Sequence, residues 1–585
     1  YSKTNDRNPK LSAEYDYKHE KMLRAFNTLY AEYEIIKNLK FKTTFSYDYT
    51  TVKGEKWYDP RTSNGEDENG EVVKRIREYK KMVWSNTLSY LTTFNNIHHL
   101  DFLAGYEIDD TYNDYLSGEA YNFTTPDKHA ISNGMKTVSV GGSDSRYRLV
   151  SYLSRLNYDY KNKYYLGASF RVDGSSRLHR DNRWGTFWSV SGAWRTIEEE
   201  FMQPVKDWLT DLRIRASYGV NGTLPSDYFG YMGLSSISGG YLEQPGIQMS
   251  QIANPNLKWE TNYNMNIGLD FGFWDRLNFT IEYYTRTTKN LLMDCPVSMT
   301  TGFSSYLMNI GEVKNKGIEL TINSTNIKIK DFNWNTTFNL GHNSNKVVKL
   351  DGEQTQIVSG TQIHKVGSSY RTFYVQEFAG INPETGNPLF YTNELDENGN
   401  YIKEITENSK NAQFIPYKHA EPTVNGGISN SLRYKWLDLN FLFSYQFGGY
   451  SYDTWAQKTE HGGYDSYANI PTYYRDSWKK PGDQTNIEVY MPGKSSSVSM
   501  HKITSSRRIH STDYFRLKNI TFGITLPKEW TNKINIGNVR FYASASNLWT
   551  WAAYDNYDPE AVSAGSATQT TPPLKTVTFG LNINF

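Results

Sequence analysis

The sequence predicts an all-β protein, a large antiparallel transmembrane β-barrel. Three observations predict it. Apolar and polar residues alternate with period two over many separate runs, connections alternate between short and long, and aromatic residues collect near the ends of the runs. Successive strand side chains point to opposite faces, so period two gives each strand one apolar and one polar face. In a membrane barrel the apolar face meets lipid and the polar face the lumen. Its turns are tight on one side and its loops long on the other.

Composition agrees. The 585 residues include 46 Tyr, 28 Phe and 15 Trp, with 43 Gly. No run of about 18 apolar residues marks a membrane helix. A mean hydropathy of −0.67 does not oppose a barrel, because only every second strand residue meets lipid. The formal net charge of +1 provides no basic field for nucleic acid. Cys295 is the single cysteine, so an intrachain disulfide is impossible and the residue reads as structural. Tyr1 is followed by neither a basic nor an apolar leader region, so any signal peptide is expected to have been removed.

In chain order, alternation predicts strands near 23–36 and 39–49, turning at Asn38, then 82–94 and 100–108 through Asn95-Asn96. Strands near 150–160 and 164–172 turn at Lys161-Asn162-Lys163. Next come 184–195 and 212–220, with a short helical turn in 198–208 between them. The arms 259–273 and 277–283 turn at Trp274-Asp275-Arg276; 317–327 and 332–340 follow. Weaker strands are expected near 373–380 and 388–392, then 427–434 and 437–447 through Lys435-Trp436. After the longest irregular stretch, 448–511, come 514–526 and 539–547. The last strand, Lys575–Phe585, sets Val577, Phe579, Leu581, Ile583 and Phe585 against Thr576, Thr578, Gly580, Asn582 and Asn584. Its length suits a tilted bilayer crossing of about 9–11 residues.

This gives about nineteen strands. With an odd number, the first and last strands run the same way and cannot pair antiparallel to close an up-and-down barrel. Roughly three further strands are therefore expected before Tyr1, since an open edge in lipid leaves backbone groups unsatisfied.

Several segments carry a resemblance. They include Y-E-I-I-K-N-L-K-F-K-T-T-F (33–45), L-S-R-L-N-Y-D-Y-K-N-K-Y-Y-L-G-A-S-F-R-V-D-G-S-S-R (153–177), R-W-G-T-F-W-S-V-S-G-A-W-R (183–195) and L-R-I-R-A-S-Y-G-V-N-G (212–222). N-P-N-L-K-W-E (254–260), N-I-G-E-V-K-N-K-G-I-E-L (309–320), R-D-S-W-K-K-P-G-D (475–483), D-Y-F-R-L-K-N-I-T-F-G-I-T-L-P (513–527), N-L-W-T (547–550) and Y-D-P-E (557–560) follow in order. From about residue 11 onward the chain resembles the C-terminal barrel of SusC/RagA-type TonB-dependent outer-membrane transporters. The resemblance implies a Gram-negative outer-membrane location and a barrel of roughly 22 strands around a plug. It also implies a SusD-like surface lipoprotein over the external loops, energy delivered through TonB, import of oligosaccharides or peptides, and a dimer of transporter–lipoprotein pairs. Nothing in the sequence resembles the plug or a TonB-contacting segment. The whole chain is therefore read as barrel, with plug and first strands outside it.

Candidate contact residues are aromatic side chains in the long loops: Tyr228, Tyr231, Tyr241, Trp455, Tyr464, Tyr467, Tyr473 and Tyr474, with Phe229, Tyr450 and Tyr452 beside them. A ring offers a flat apolar face to a sugar or peptide and a hydroxyl or indole N–H at its edge. Loop packing and partner contact are the competing roles. The segments 173–177 and 181–185 are polar and Gly-rich, but without a following helix they read as loop-structuring rather than phosphate-binding. The segments 66–71 and 396–400 carry carboxylates without EF-hand spacing and read as Asn-Gly turns rather than calcium loops. His98-His99 on a strand face opposite ways and cannot share a metal; His461 with Asp465 is a weak loop candidate. No catalytic pair, cofactor motif or metal motif is recognisable, so the chain reads as a non-enzyme.

Three functions fit to different degrees. An energised importer of oligosaccharides or peptides accounts for the alternation and the resemblance. A passive diffusion channel accounts for the alternation alone. A secreted β-rich glycan-binding or glycan-cleaving protein accounts for neither.

Overall fold

A computed structural model describes residues 9–241, 244–350, 355–463, 470–491, 500, 503–534, 536–562, 564–568 and 570–584. Seventeen long strands are grouped in one sheet. They are β1 (Tyr17–Ile36), β2 (Leu39–Tyr58), β3 (Glu71–Phe94), β4 (His98–Phe123), β5 (Gly134–Tyr160), β6 (Tyr164–Ser175), β7 (Trp184–Trp194), β8 (Leu209–Thr223) and β9 (Glu260–Phe273). The rest are β10 (Leu277–Lys289), β11 (Glu312–Lys328), β12 (Phe332–Lys349), β13 (Val424–Tyr434), β14 (Leu437–Phe447), β15 (Tyr514–Thr525), β16 (Asn538–Ala552) and β17 (Thr576–Asn584). All seventeen fall where alternation places a strand.

The chain divides into two compact units, the first comprising 1–192, 219–262 and 290–309, the second the remainder. In the first, β1 through β6 pair antiparallel, each with the next in sequence. In the second, β10 through β17 do the same. Both units are thus up-and-down meanders.

Two expected strands, near 373–380 and 388–392, are not members of the large sheet. Thr372–Gln376 joins a four-stranded loop sheet, while Phe378–Ile381 and Pro388–Tyr391 join a three-stranded one. The count among the described residues is therefore seventeen rather than about nineteen, and the offset of three strands loses its arithmetic. Both runs are short, and Thr372–Gln376 is packed on both faces. Phe373, Val375 and Phe390 are all buried, the pattern of a loop core rather than of a lipid-facing strand. Among the described residues β1 pairs with β2 and β17 with β16.

Many strands are longer than alternation alone predicts, mostly on the long-loop side. β3 begins at Glu71, not near Met82, because Lys74-Arg75-Ile76-Arg77-Glu78-Tyr79-Lys80-Lys81 is polar on both faces. That segment continues a ladder without needing lipid on either side.

The two faces follow the alternation. In the first unit Phe45, Trp84, Ile108 and Val150 lie directly opposite one another on β2 to β5, as do Phe41, Leu88 and Ala104. Phe41, Phe45, Trp84 and Phe170 are exposed, which water would penalise and lipid does not. The other face carries Asp101 with Arg155 and Asn157, both at 3.2 Å, and Arg171 with Asp173 at 2.7 Å. In the second unit Phe522, Phe541, Val577, Phe579 and Leu581 are exposed on one face. On the opposite face Arg540 pairs with Asp438 at 2.7 Å. Gly580 sits opposite Tyr542, whose ring occupies the space a Cβ would need.

Short turns collect on one side of each unit. Asn95 and Asn96, Lys161 and Asn162, and Trp274 and Asp275 are successive residues of positive φ, the conformation of tight primed hairpin turns. Neighbouring turns hydrogen-bond to one another: Lys161 N–H donates to Ile97 O at 2.7 Å in the first unit. In the second, Thr325 N–H donates to Arg276 O at 2.7 Å and Lys435 N–H to Asp331 O at 2.8 Å. Between β7 and β8 the expected helical turn is present as 3-10 segments at Thr196–Glu198 and Glu200–Val205.

Candidate functional site

Among the described residues the long loops carry packed apolar clusters, one or more in each unit. In the first unit Leu178, Phe187, Leu257 and Trp259 are buried together, with Tyr231 and Leu307 packed against them. Trp259 Nε1 donates to Arg183 O at 3.1 Å, tying N-P-N-L-K-W-E to the 183–195 motif. Arg177 lies between two tyrosines, 4.1 Å from the Tyr147 ring and 4.4 Å from that of Tyr228, and donates to Pro225 O at 3.0 Å. Ser176 N–H donates to Arg148 O at 3.0 Å. The 173–177 segment therefore structures loops.

These contacts place the first candidates. Tyr228 is half-buried, stacked on Arg177, and accepts from Asn113 at 3.3 Å. Tyr231 is half-buried at the edge of the apolar cluster, its ring centroid 6.0 Å from that of His179. Tyr241 ends the short strand Leu234–Tyr241, paired through its backbone with Gln244. Tyr464, Tyr467 and Asp465 lie outside the described residues.

The second unit gathers the 448–511 region around buried charge. Tyr450–Asp453 pairs antiparallel with Ile509–Ser511 and parallel with Ser566–Ala567. Asp453 caps the short helix Thr454–Thr459, accepting from Ala456 N–H at 2.8 Å, and also accepts from Tyr554 O–H at 3.0 Å. Arg508 is fully buried and pairs with Glu460, and burial lowers its pKa to about 10. Arg507 reaches Glu460 at 3.5 Å and Glu488 at 3.2 Å. His510 stacks on Tyr554 with ring centroids 3.7 Å apart, and burial pushes its pKa down to about 4.

This network absorbs two candidates. Tyr474 is buried and donates its hydroxyl to Glu488 at 2.8 Å; burial and that carboxylate raise its pKa. Tyr473 donates to Glu460, and burial raises its pKa to about 12. Both rings are posts of the loop. Trp455 differs: it is 41% exposed and lines a cavity of about 430 Å³ with Asp453, Asn556, Tyr557, Asp558 and three threonines.

Sequence reasoning missed the members of this wall that come from 556–572. The visible signal was Y-D-P-E itself. Asp558 accepts from Arg516 at 2.6 Å, and Glu560 accepts from Arg516 and from Lys518 at 2.7 Å. Burial raises the Glu560 pKa, but Lys518 and Arg516 outweigh it and hold the carboxyl below its ordinary value.

The remaining polar motifs make local contacts. His98 bonds Tyr158 at 2.7 Å and His99 bonds Thr93 at 2.8 Å, on opposite faces. Asp396 accepts from the backbones of Asn398 at 2.9 Å and Asn400 at 2.8 Å, closing a turn over Gly399. Asn69 and Gly70 take positive φ in the other Asn-Gly segment. Among the described residues no group of three or more metal-ligating side chains comes together.

Residues 1–400 match the family model described as TonB dependent receptor-like, beta-barrel. The chain belongs to that family. It is 32% identical to TonB-dependent receptor P3 of Formosa agariphila over 95% of this chain and 57% of that one. It is 29% identical to TonB-dependent receptor SusC of Bacteroides thetaiotaomicron over 88% of this chain and 51% of that one. Among solved structures, the RagAB peptide transporter superposes with a TM-score of 0.88 at 26% identity, covering 99% of this chain and 63% of that one. The member is thus of the SusC/RagA type, as the motifs imply. The chain spans little more than half the length of these curated relatives.

Proposed function

We propose that the chain is the barrel portion of an outer-membrane nutrient importer. In this reading a plug and the first strands, encoded outside this sequence, complete it, and TonB energises it. A SusD-like surface lipoprotein closes over its loops in a dimer of pairs. The observation that carries the reading is the one-sidedness of each meander: tight linked turns at one rim, folded loops with their own cores at the other, and an exposed apolar face between. An importer must hold substrate in place before release, and rigid loops do that better than mobile ones.

Within the loops, Trp455 is the proposed platform for substrate. The carboxylate oxygens beside it are already engaged, Asp453 by Ala456 and Tyr554, Asp558 by Arg516 and Glu560. Such a wall suits an uncharged polar ligand, a sugar ring or peptide amide, more than an anion. The test is uptake by cells producing the full-length protein with and without the lipoprotein and TonB. Accumulation of an oligosaccharide or peptide that needs both supports the importer. Entry that persists without TonB indicates a diffusion channel instead.

A further inference from the structure

The face that carries the exposed belt continues past it. Registers between β2, β3 and β4 run without a shift, so residues at even spacing from Phe45 stay on one face. Along that face Tyr49, Lys80 and Tyr112 form one row, with the Lys80 ammonium 5.9 and 5.7 Å from the two rings. Tyrosine and lysine in a row mark the level where lipid tails give way to head groups. Lys53 stands four residues further on, about 13 Å along the strand.

There the same face opens into a cavity of about 660 Å³. Its lining joins Ile76, Leu116, Ile131 and Val140 to Lys21 and Lys53. These two lysines are direct cross-strand partners and both are exposed. Like charges placed opposite each other destabilise a ladder, so the pair favours an anion between them. Glu55, the carboxylate in that lining, is already committed: it accepts from Tyr17 at 2.5 Å and pairs with Lys74 at 2.9 Å.

Apolar side chains beside opposed ammonium groups, on the strand face that carries the lipid belt, match an amphiphile with an anionic head. We propose that this cavity binds the phosphorylated head group of an outer-leaflet lipid, with Lys21 and Lys53 holding the phosphate and Ile76, Leu116 and Val140 covering the adjoining apolar part. This rests on the membrane-spanning reading of the exposed face. A lysine ammonium contacts phosphate as a point charge, so binding should depend on charge more than on geometry.

The experiment uses the full-length protein in detergent micelles. Its probes are bis-phosphorylated lipid A, the same lipid without phosphates, and inorganic phosphate, read by native mass spectrometry and titration. The proposal expects retained phosphorylated lipid, at least about tenfold weaker binding of the dephosphorylated form, and a comparable loss in Lys21→Gln/Lys53→Gln. Lys53→Arg should keep most binding, and Lys53→Gln alone should lose part of it. Equal binding of both lipids, or no effect of the double variant, overturns it. Displacement by inorganic phosphate at the concentration of the lipid assigns a free-anion site and overturns the lipid assignment. Failure of the protein to insert into liposomes would instead strike the membrane reading itself.

Discussion

Arg516 donates to Asp558 across 42 residues of chain, Nη2 to Oδ2 at 2.6 Å, with the guanidinium almost wholly buried. The same side chain bonds Glu560, so one strand residue of β15 holds both acids of Y-D-P-E. Removing one partner of a buried ion pair leaves the other charge unpaired, which costs roughly 3–5 kcal/mol. Arg516→Ala should therefore release the 556–562 segment, seen as lost amide protection there by hydrogen exchange. Asp558→Asn, which keeps the shape and one acceptor, should cost less. Equal protection in Arg516→Ala and the parent would remove the latch role.

His510 gives a pH dependence. Its folded pKa of about 4 lies below the ordinary value of 6.5, so between these values the unfolded loop binds a proton that the folded loop does not. Stability of the loop core is full above about pH 6.5, falls as pH drops toward 4, and levels below that. At about 1.4 kcal/mol per unit the loss is at most about 3.5 kcal/mol. Hydrogen exchange in 450–453 and 509–511 as a function of pH measures it. His510→Phe, which keeps a ring to stack on Tyr554, should flatten the profile across that window.

Trp455 and Tyr474 separate contact from scaffold. Tyr474→Phe deletes a hydroxyl that satisfies buried Glu488 and should cost about 1–3 kcal/mol of loop stability. Trp455 is largely free of the loop core, so Trp455→Ala should leave exchange protection intact and lower uptake at subsaturating substrate at least about fivefold. If Trp455→Ala transports normally while Tyr474→Phe does not, the cavity beside Trp455 is not the substrate contact.

Much of this architecture was legible because period two survives wherever one face meets lipid. All seventeen long strands coincide with alternating runs, and turns such as Asn95-Asn96 and Lys161-Asn162 announce themselves by residues that tolerate positive φ. Alternation failed where both faces meet the same medium. It missed Glu71–Lys81 because that stretch is polar on both sides, and placed Thr372–Gln376 in the main sheet because that stretch is packed on both. The loop sites were less legible. Tyr473, Tyr474 and Trp455 are equivalent as letters, yet only tertiary contacts with Glu460 and Glu488 turn two of them inward. Arg508 with Glu460, and Arg516 with Glu560, join residues too far apart for any spacing rule to pair them.

The face assignment itself is testable on two adjacent residues. Phe170 is exposed on the belt face of β6, while its neighbour Ser169 faces the polar side and bonds Ser189 at 2.6 Å. Phe170 lies seven residues from the turn at Lys163, about 23 Å along a tilted strand, which brings it near the middle of an apolar band about 25 Å tall. A lysine there would sit in hydrocarbon and cost on the order of 2–4 kcal/mol. At position 169 a lysine points into the polar face beside Asp101 and Arg155 and should change stability by less than about 1 kcal/mol. Folding yield into liposomes and urea midpoints for Phe170→Lys and Ser169→Lys read the difference. Equal losses at the two positions would mean that the exposed row does not face lipid.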